Sequence, residues 1–198
     1  MSGDGLPLLF QPFSLKGVTA RNRIVVSPMC QYASDDGAPS DWHFVHMGRY
    51  AVGGAGIVFS EETSVSAEGR KTLSCAGMYR DEHVPAYRRL TDFVRGLDAV
   101  PAMQLGHAGG KASAKGPLKN RETLSGRDAW TPLSASNVPA TAELPPPRAM
   151  NEDDIGQVVA QWAAAARRTH EAGFDILEIH GAHGYLIQQF LSPVTNQR

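Results

Sequence analysis

Cysteine, net charge and long apolar runs are all scarce in this sequence. Only two of its 198 residues are cysteines, Cys30 and Cys75, too few for a disulfide framework or a four-thiolate metal site. A formal net charge of -1 favours neither a nucleic acid nor a membrane surface as a partner. No apolar run approaches transmembrane length, and the first residues lack a basic segment followed by an apolar core. We therefore expect one cytoplasmic domain.

Apolar runs of strand length alternate along the chain with segments of helical periodicity. Polar residues or glycines bound each of them, as at strand and helix ends. The pattern predicts a hairpin within 8–18, buried strands over 23–27, 56–60, 100–105 and 174–179, and helices over 41–52, 84–97 and 152–172.

Three predicted helices have recognisable start signals. Ser40 is a plausible N-cap for the first helix and Asp81 for the second. Asn151 with Asp154 resembles a capping box that opens the third. Residues 61–64 are expected to form the polar segment that follows the second buried strand. The sequence thus predicts four consecutive strand-helix units, less the last helix, and a parallel sheet with right-handed crossovers.

No glycine-rich phosphate turn follows the first buried strand, where Ser27 and Pro28 stand instead. A doubly wound nucleotide-binding sheet is expected to have such a turn. Polar residues cluster at the carboxyl ends of the strands, as they do on the active face of a barrel. The sequence therefore predicts an α/β protein of the (β/α)8 TIM-barrel class, here its first four βα units preceded by the hairpin.

The fourth strand ends in a cluster of His180, His183 and Tyr185 between glycines. Two histidines this close can share a metal ion, but neither their spacing nor the glycine-rich backbone matches the helical zinc-protease pairing. They can also be structural turn residues. The third interpretation is a pair of hydrogen-bond donors beside a phenolic acid, suited to a carbonyl oxygen that gains negative charge during reaction.

Two other residues with possible roles in binding or reaction, Gln104 and Cys30, are predicted near the carboxyl ends of the strands. Gln104 interrupts an apolar strand, so it is either tied to a neighbouring backbone or directed at a ligand. Cys30 is either a buried filler or a thiol near the reaction. The long segment 112–150, rich in Pro, Ser, Ala and Gly, is predicted to be a lid or substrate-side loop, since long loops in compact domains are usually functional or disordered.

Three motifs together resemble one family, the old yellow enzymes, which are flavin-dependent ene-reductases on a TIM barrel. The resemblance is closest to the thermophilic-like or xenobiotic-reductase branch and covers essentially the whole chain. The motifs are Ser27-Pro28-Met29-Cys30-Gln31-Tyr32, Gln104-Leu105-Gly106-His107-Ala108-Gly109 and His180-Gly181-Ala182-His183-Gly184-Tyr185-Leu186.

The resemblance implies a cycle in which NADPH or NADH reduces FMN, and the flavin then delivers hydride to the β-carbon of an electron-poor alkene. His180 and His183 would hold the substrate carbonyl, Tyr185 would protonate the α-carbon, and Tyr32 would line the pocket. Cys30 would modulate the flavin. The cofactor-binding residues implied by the resemblance are Ser27, Pro28, Met29, Cys30, Glu62, Gln104 and His180. Enones or nitro compounds are the expected substrates, with a homo-oligomer as the expected assembly.

Two positions depart from the family pattern, which often has a small residue at Glu62 and an arginine at Gly110. A complete barrel needs eight strands and about 250 residues. We therefore expect either the N-terminal half of a longer flavin oxidoreductase or a truncated, non-catalytic half-barrel that pairs with another chain. A metal-dependent TIM-barrel hydrolase is the weaker alternative.

Overall fold

The computed structural model describes residues 5–116, 122–142 and 144–198. In chain order its strands and longer helices are β1 (Phe13–Leu15), β2 (Val18–Ala20), β3 (Val25–Val26), α1 (Asp41–Val52), β4 (Ile57–Ser64), α2 (His83–Arg95), β5 (Val100–Gly106), β6 (Leu133–Ser134), β7 (Arg148–Ala149), α3 (Glu152–Glu171), β8 (Ile176–Ile179) and α4 (Leu186–Leu191).

A four-stranded parallel sheet with the order β3-β4-β5-β8 is the centre of the fold. Helices α1, α2 and α3 each connect one of these strands to the next along the sheet. Strand order therefore follows chain order, as in successive β/α units of a barrel and unlike a doubly wound sheet, where the order reverses. The predicted parallel sheet with helical crossovers is confirmed.

The N-terminal hairpin is also confirmed, although it extends to Ala20. Strands β1 and β2 pair antiparallel around a turn at Lys16 and Gly17. Ala20 packs with Ile57 and Phe59 of β4 in a small apolar cluster. The hairpin therefore covers the face of the sheet that points away from the helices, near the amino ends of the strands.

The main core lies between the other face of the sheet and the helices. It includes Met47 of α1, Leu90 of α2, Val58 of β4 and Leu105 of β5, all at most 1% exposed. The buried positions of α2, among them Tyr87, Leu90 and Val94, keep helical spacing. Burial of this face stabilises the helices, because short helices are marginal by themselves.

The N-caps are confirmed for α1 and α3, whereas the cap predicted for α2 is wrong. Ser40 and Asn151 take part in capping boxes. Hydrogen bonds from Arg148 and the Asn151 backbone lower the pKa of the Asp154 carboxyl to about 2. Helix α2 begins after Glu82, while Asp81 accepts a hydrogen bond from Arg168 Nε at 2.6 Å instead.

Strand boundaries differ from the predicted ranges in both directions. Strand β3 is shorter than 23–27, because the Asn22 side chain accepts the Ile24 N–H and Pro28 has no donor to continue the ladder. Strand β8 covers 176–179 of the predicted 174–179. Residues 61–64, which were predicted to follow the strand, belong to β4. After a bulge that follows Phe59, β4 pairs with β5 again.

The segment 112–150 has more structure than the sequence indicated. Strands β6 and β7 within it form a parallel pair. Trp130 donates from its indole nitrogen to the Glu68 carbonyl at 2.8 Å, which fixes the segment against the loop after β4. The part of the prediction that falls on 117–121 and 143 lies outside the described residues.

No helix among the residues that the structure describes is both long enough and apolar enough to cross a membrane.

Candidate active site at the carboxyl edge of the sheet

The structure brings together the three side chains predicted at the end of β8. His183 Nδ1 lies 3.2 Å from His180 Nε2, within hydrogen-bond distance. The Tyr185 ring centroid is 5.0 Å from that of His180 and 6.3 Å from that of His183, both in edge-on geometry. Two imidazoles and a phenol therefore face one another in a single turn.

The backbone of this turn is bent by residues in the left-handed region. His183 has φ 56° and Gly184 has φ 68°. For a side chain as large as histidine this conformation is uncommon and is found in functional turns more often than elsewhere. The turn is anchored at both ends, since His180 N donates to Leu105 O at 2.9 Å and Leu186 N donates to His107 O at 3.0 Å.

Burial shifts the pKa values of His180 and Tyr185 in opposite directions. It lowers the pKa of His180, and the neighbouring His183 and Lys71 add to the effect. His180 is therefore a neutral imidazole at neutral pH. Burial raises the pKa of the Tyr185 phenol to about 12, with smaller contributions from Cys30 and Cys75. Tyr185 consequently keeps its proton and is available as an acid.

The loop after β3 is held in place by a buried carboxylate. Glu61 Oε2 accepts the Gln31 N–H at 2.9 Å, and Glu61 Oε1 lies 2.9 Å from His43 Nε2 of α1. Tyr32 has a left-handed backbone, with φ 53°, and its phenol pKa is raised to about 12, mainly by burial. The loop thereby directs Tyr32 into the same pocket as Tyr185.

Cys30 is half-buried at this edge. Burial raises the pKa of its thiol, while the nearby Lys71 ammonium partly opposes that effect. Cys75 is a buried thiol whose sulfur accepts the Thr72 N–H at 3.3 Å. Ser27 and Met29 are exposed and Pro28 is half-exposed, so the first part of this loop borders an open surface.

Glu62 and Gln104 lie side by side on β4 and β5, and Gln104 is in register with Glu178 on β8. In the part of the chain that the structure describes, the Gln104 side chain binds no backbone group. Its Nε2 donates to the Glu178 carboxylate, and among the described residues its Oε1 has no hydrogen-bond partner. A row of polar side chains therefore crosses three adjacent strands at one level.

The Glu62 side chain forms an ion pair with Lys71, which lies in the loop after β4. Both residues are buried, at 4% and 6% exposure. Glu62 Oε1 is a buried atom without a hydrogen-bond partner in the described part of the chain. Lys71 was not predicted as a site residue, because a lysine in a polar loop carries no periodic signal, and the His43–Glu61 contact was not predicted either.

Lys111 is a second lysine that the sequence analysis left without a role. Its Nζ donates to the His183 carbonyl at 2.7 Å. Its position in the exit turn of β5, the turn that follows Gln104, was the available signal. In the described ranges no group of three or more His, Cys, Asp or Glu side chains is placed to hold a metal ion.

The fold and this edge together define the first half of a (β/α)8 barrel with a polar cluster at its carboxyl face. Comparison with known proteins identifies the family. Residues 8–198 match the model of the NADH:flavin oxidoreductase / NADH oxidase family, and the chain belongs to that family. The resemblance to old yellow enzymes is thereby confirmed.

Curated relatives and solved structures agree with this assignment. The NADPH dehydrogenase of Geobacillus sp. (strain WCH70) is 40% identical over 193 residues, 96% of this chain and 53% of the relative. That of Listeria welshimeri serovar 6b is 43% identical over 192 residues, with the same two shares. A morphinone reductase structure superimposes with TM-score 0.84 at 26% identity, covering 97% of this chain and 52% of its own.

A second morphinone reductase structure, in complex with tetrahydroNAD, has TM-score 0.83 at the same 26% identity. It covers 98% of this chain and 54% of its own. The chain thus spans about half the length of the relatives it matches.

Proposed function

We propose that this chain forms part of an FMN-dependent NAD(P)H oxidoreductase that reduces the activated C=C bond of α,β-unsaturated carbonyl or related compounds. The observation that carries the proposal is the approach of His180 Nε2 and His183 Nδ1 to 3.2 Å beside the Tyr185 phenol. The relatives named NADPH dehydrogenase and the structure titled with tetrahydroNAD support the nicotinamide reductant.

The two facing imidazole nitrogens are suited to one acceptor oxygen. A carbonyl oxygen that lies within hydrogen-bond distance of both nitrogens accepts from both when His180 carries its proton on Nε2 and His183 on Nδ1. The lowered pKa of His180 keeps that ring a neutral donor. Fixed donors directed at an oxygen that gains negative charge stabilise the transition state more than the ground state.

Tyr185 is the proton donor in this proposal. Its ring lies edge-on to His180, so a substrate held by the histidines has its alkene within reach of the phenol. With a pKa of about 12, the phenol is protonated through neutral and mildly alkaline pH. It delivers its proton to the α-carbon, next to the carbonyl carbon.

The ring-binding residues fit FMN. Ser27 and Met29 are exposed and Gln104 is half-exposed at the carboxyl edge, and the free Oε1 of Gln104 provides an acceptor for a ring N–H. Pro28, Cys30, Glu62 and His180 complete the proposed set. When bound, FMN supplies hydride transfer from NAD(P)H to the substrate β-carbon.

The segment 112–150 is the proposed cover of the substrate. Ala114, Thr141 and Leu144 from this segment line the same pocket as Tyr32 and Tyr185. A cover at this position excludes water from the reacting groups. The homo-oligomeric state and the small-molecule nature of the substrate belong to the same proposal.

His180→Ala is expected to weaken binding of a simple cyclic enone about fivefold, the equivalent of one lost hydrogen bond. Isothermal titration calorimetry of the purified chain measures this directly. His170→Ala is the matched control, since His170 is exposed on α3. Equal enone affinity in all three proteins would remove the histidine pair from the proposed site.

A further inference from the structure

A pocket of about 220 Å³ is lined by the side chains of Tyr185 and Tyr32. Lys71 and Lys111 line it, together with Thr72 and parts of the segment 112–150. It adjoins the histidine pair, because Lys111 donates to the backbone carbonyl of His183. A substrate whose carbonyl oxygen is bound by the histidines can therefore extend into this pocket.

The charge in this pocket has one sign. The two ammonium nitrogens lie close to the Tyr185 ring, Lys71 Nζ at 5.5 Å and Lys111 Nζ at 5.6 Å from its centroid. The described residues that line the pocket include no aspartate or glutamate. Aromatic walls with lysines between them suit a ligand that has both an apolar part and an anionic group.

The two lysines differ in how far their charge is already compensated. Lys71 is ion-paired with the buried Glu62. Within the described ranges Lys111 forms no ion pair with a carboxylate, and its Nζ donates only to the His183 carbonyl. An ammonium group has three N–H donors, so Lys111 retains donors and a charge for a ligand.

The protonation state of Lys71 agrees with its role as the ion-pair partner of Glu62. Burial works against its charged form, but the Cys75 and Cys30 thiols and the Tyr32 phenol outweigh burial, and the pKa of Lys71 is raised. Lys71 thus stays an ammonium group that compensates Glu62. The charge of Lys71 is thus largely balanced by the Glu62 carboxylate, whereas that of Lys111 remains available for a ligand.

We propose that this pocket is a subsite for a carboxylate on the substrate, bound by Lys111 with support from Lys71. The substrate class is then an α,β-unsaturated carbonyl compound that also carries a carboxylate, in preference to a neutral enone. This inference rests on the proposed function, since it places the substrate carbonyl on His180 and His183. It adds a specificity-determining residue, Lys111.

The test compares two ligands with one carbon skeleton, 4-oxo-2-pentenoate and its methyl ester. Isothermal titration calorimetry of the purified chain should show about tenfold tighter binding of the acid, since hydrogen bonds to charged groups are the stronger ones. In Lys111→Met the two affinities should become equal. Lys16→Met is the matched control, because Lys16 is exposed in the hairpin turn, and it should keep the preference.

Equal affinities in the unaltered chain, a preference that survives Lys111→Met, or no binding of either ligand would overturn the carboxylate subsite. If the affinities are equal and His180→Ala weakens both, the proposed function stands and only the subsite fails. If the acid is preferred through Lys111 but His180→Ala changes neither affinity, the subsite stands and the carbonyl site fails.

Discussion

Tyr185→Phe is expected to slow reduction of the alkene by a factor of about 10² or more, the usual contribution of a positioned general acid. The substitution removes only the phenolic oxygen, and the ring that contacts His180 remains. Reduction of FMN by NADPH should keep its rate, because that step needs no proton from Tyr185. Stopped-flow absorbance of the FMN-loaded protein separates the two half-reactions.

Tyr50→Phe is the matched control for this prediction. Tyr50 lies on α1, where its hydroxyl accepts a hydrogen bond from Arg49 at 2.9 Å. Because the pKa of Tyr185 is about 12, the unaltered protein should show no loss of alkene reduction from ionisation of Tyr185 in the mildly alkaline range. Equal slowing of both half-reactions, or of neither, would rule out Tyr185 as the proton donor.

Lys71→Met is expected to lower the free energy of unfolding by about 3–5 kcal/mol, the cost of breaking a buried ion pair from one side. The variant leaves the Glu62 carboxylate buried without its partner, and Glu62 Oε1 already lacks a hydrogen bond within the described ranges. Urea unfolding followed by circular dichroism measures the loss, provided the variant folds.

The double variant Lys71→Met/Glu62→Gln tests the ion pair even if Lys71→Met alone does not fold. It removes both charges and should recover most of the lost stability, since replacing a whole buried pair is much less costly than breaking it. Lys115→Met is the matched control, because its ion pair with Glu122 is exposed and contributes less than about 1 kcal/mol. A double variant as unstable as the single one would contradict the pair.

The elements that sequence reasoning located well have local signals. Helix α1 matches its predicted range because Ser40 and Gly53 mark its two ends. The turn after β8 was recognisable because a short apolar run ends in glycines and imidazoles. These signals lie in neighbouring residues, so no knowledge of distant contacts was needed.

What could not be predicted depends on contacts between segments that are distant along the chain. The ion pair of Glu62 with Lys71 requires both the bulge in β4 and the return of the following loop. The pairing of Gln104 with Glu178 depends on the register of two strands separated by the segment 112–150. Register and loop return are tertiary properties, and hydrophobic periodicity does not encode them.

Binding of a flavin ring at the carboxyl edge can be measured by visible absorption spectra of FMN and of lumiflavin titrated with the purified chain. Lumiflavin has the ring without the phosphate, so it reports on the ring-binding residues alone. We expect a saturable change in both spectra that is weakened by Gln104→Ala. Spectra that stay unchanged, or a change that is as strong with Gln104→Ala, would contradict it.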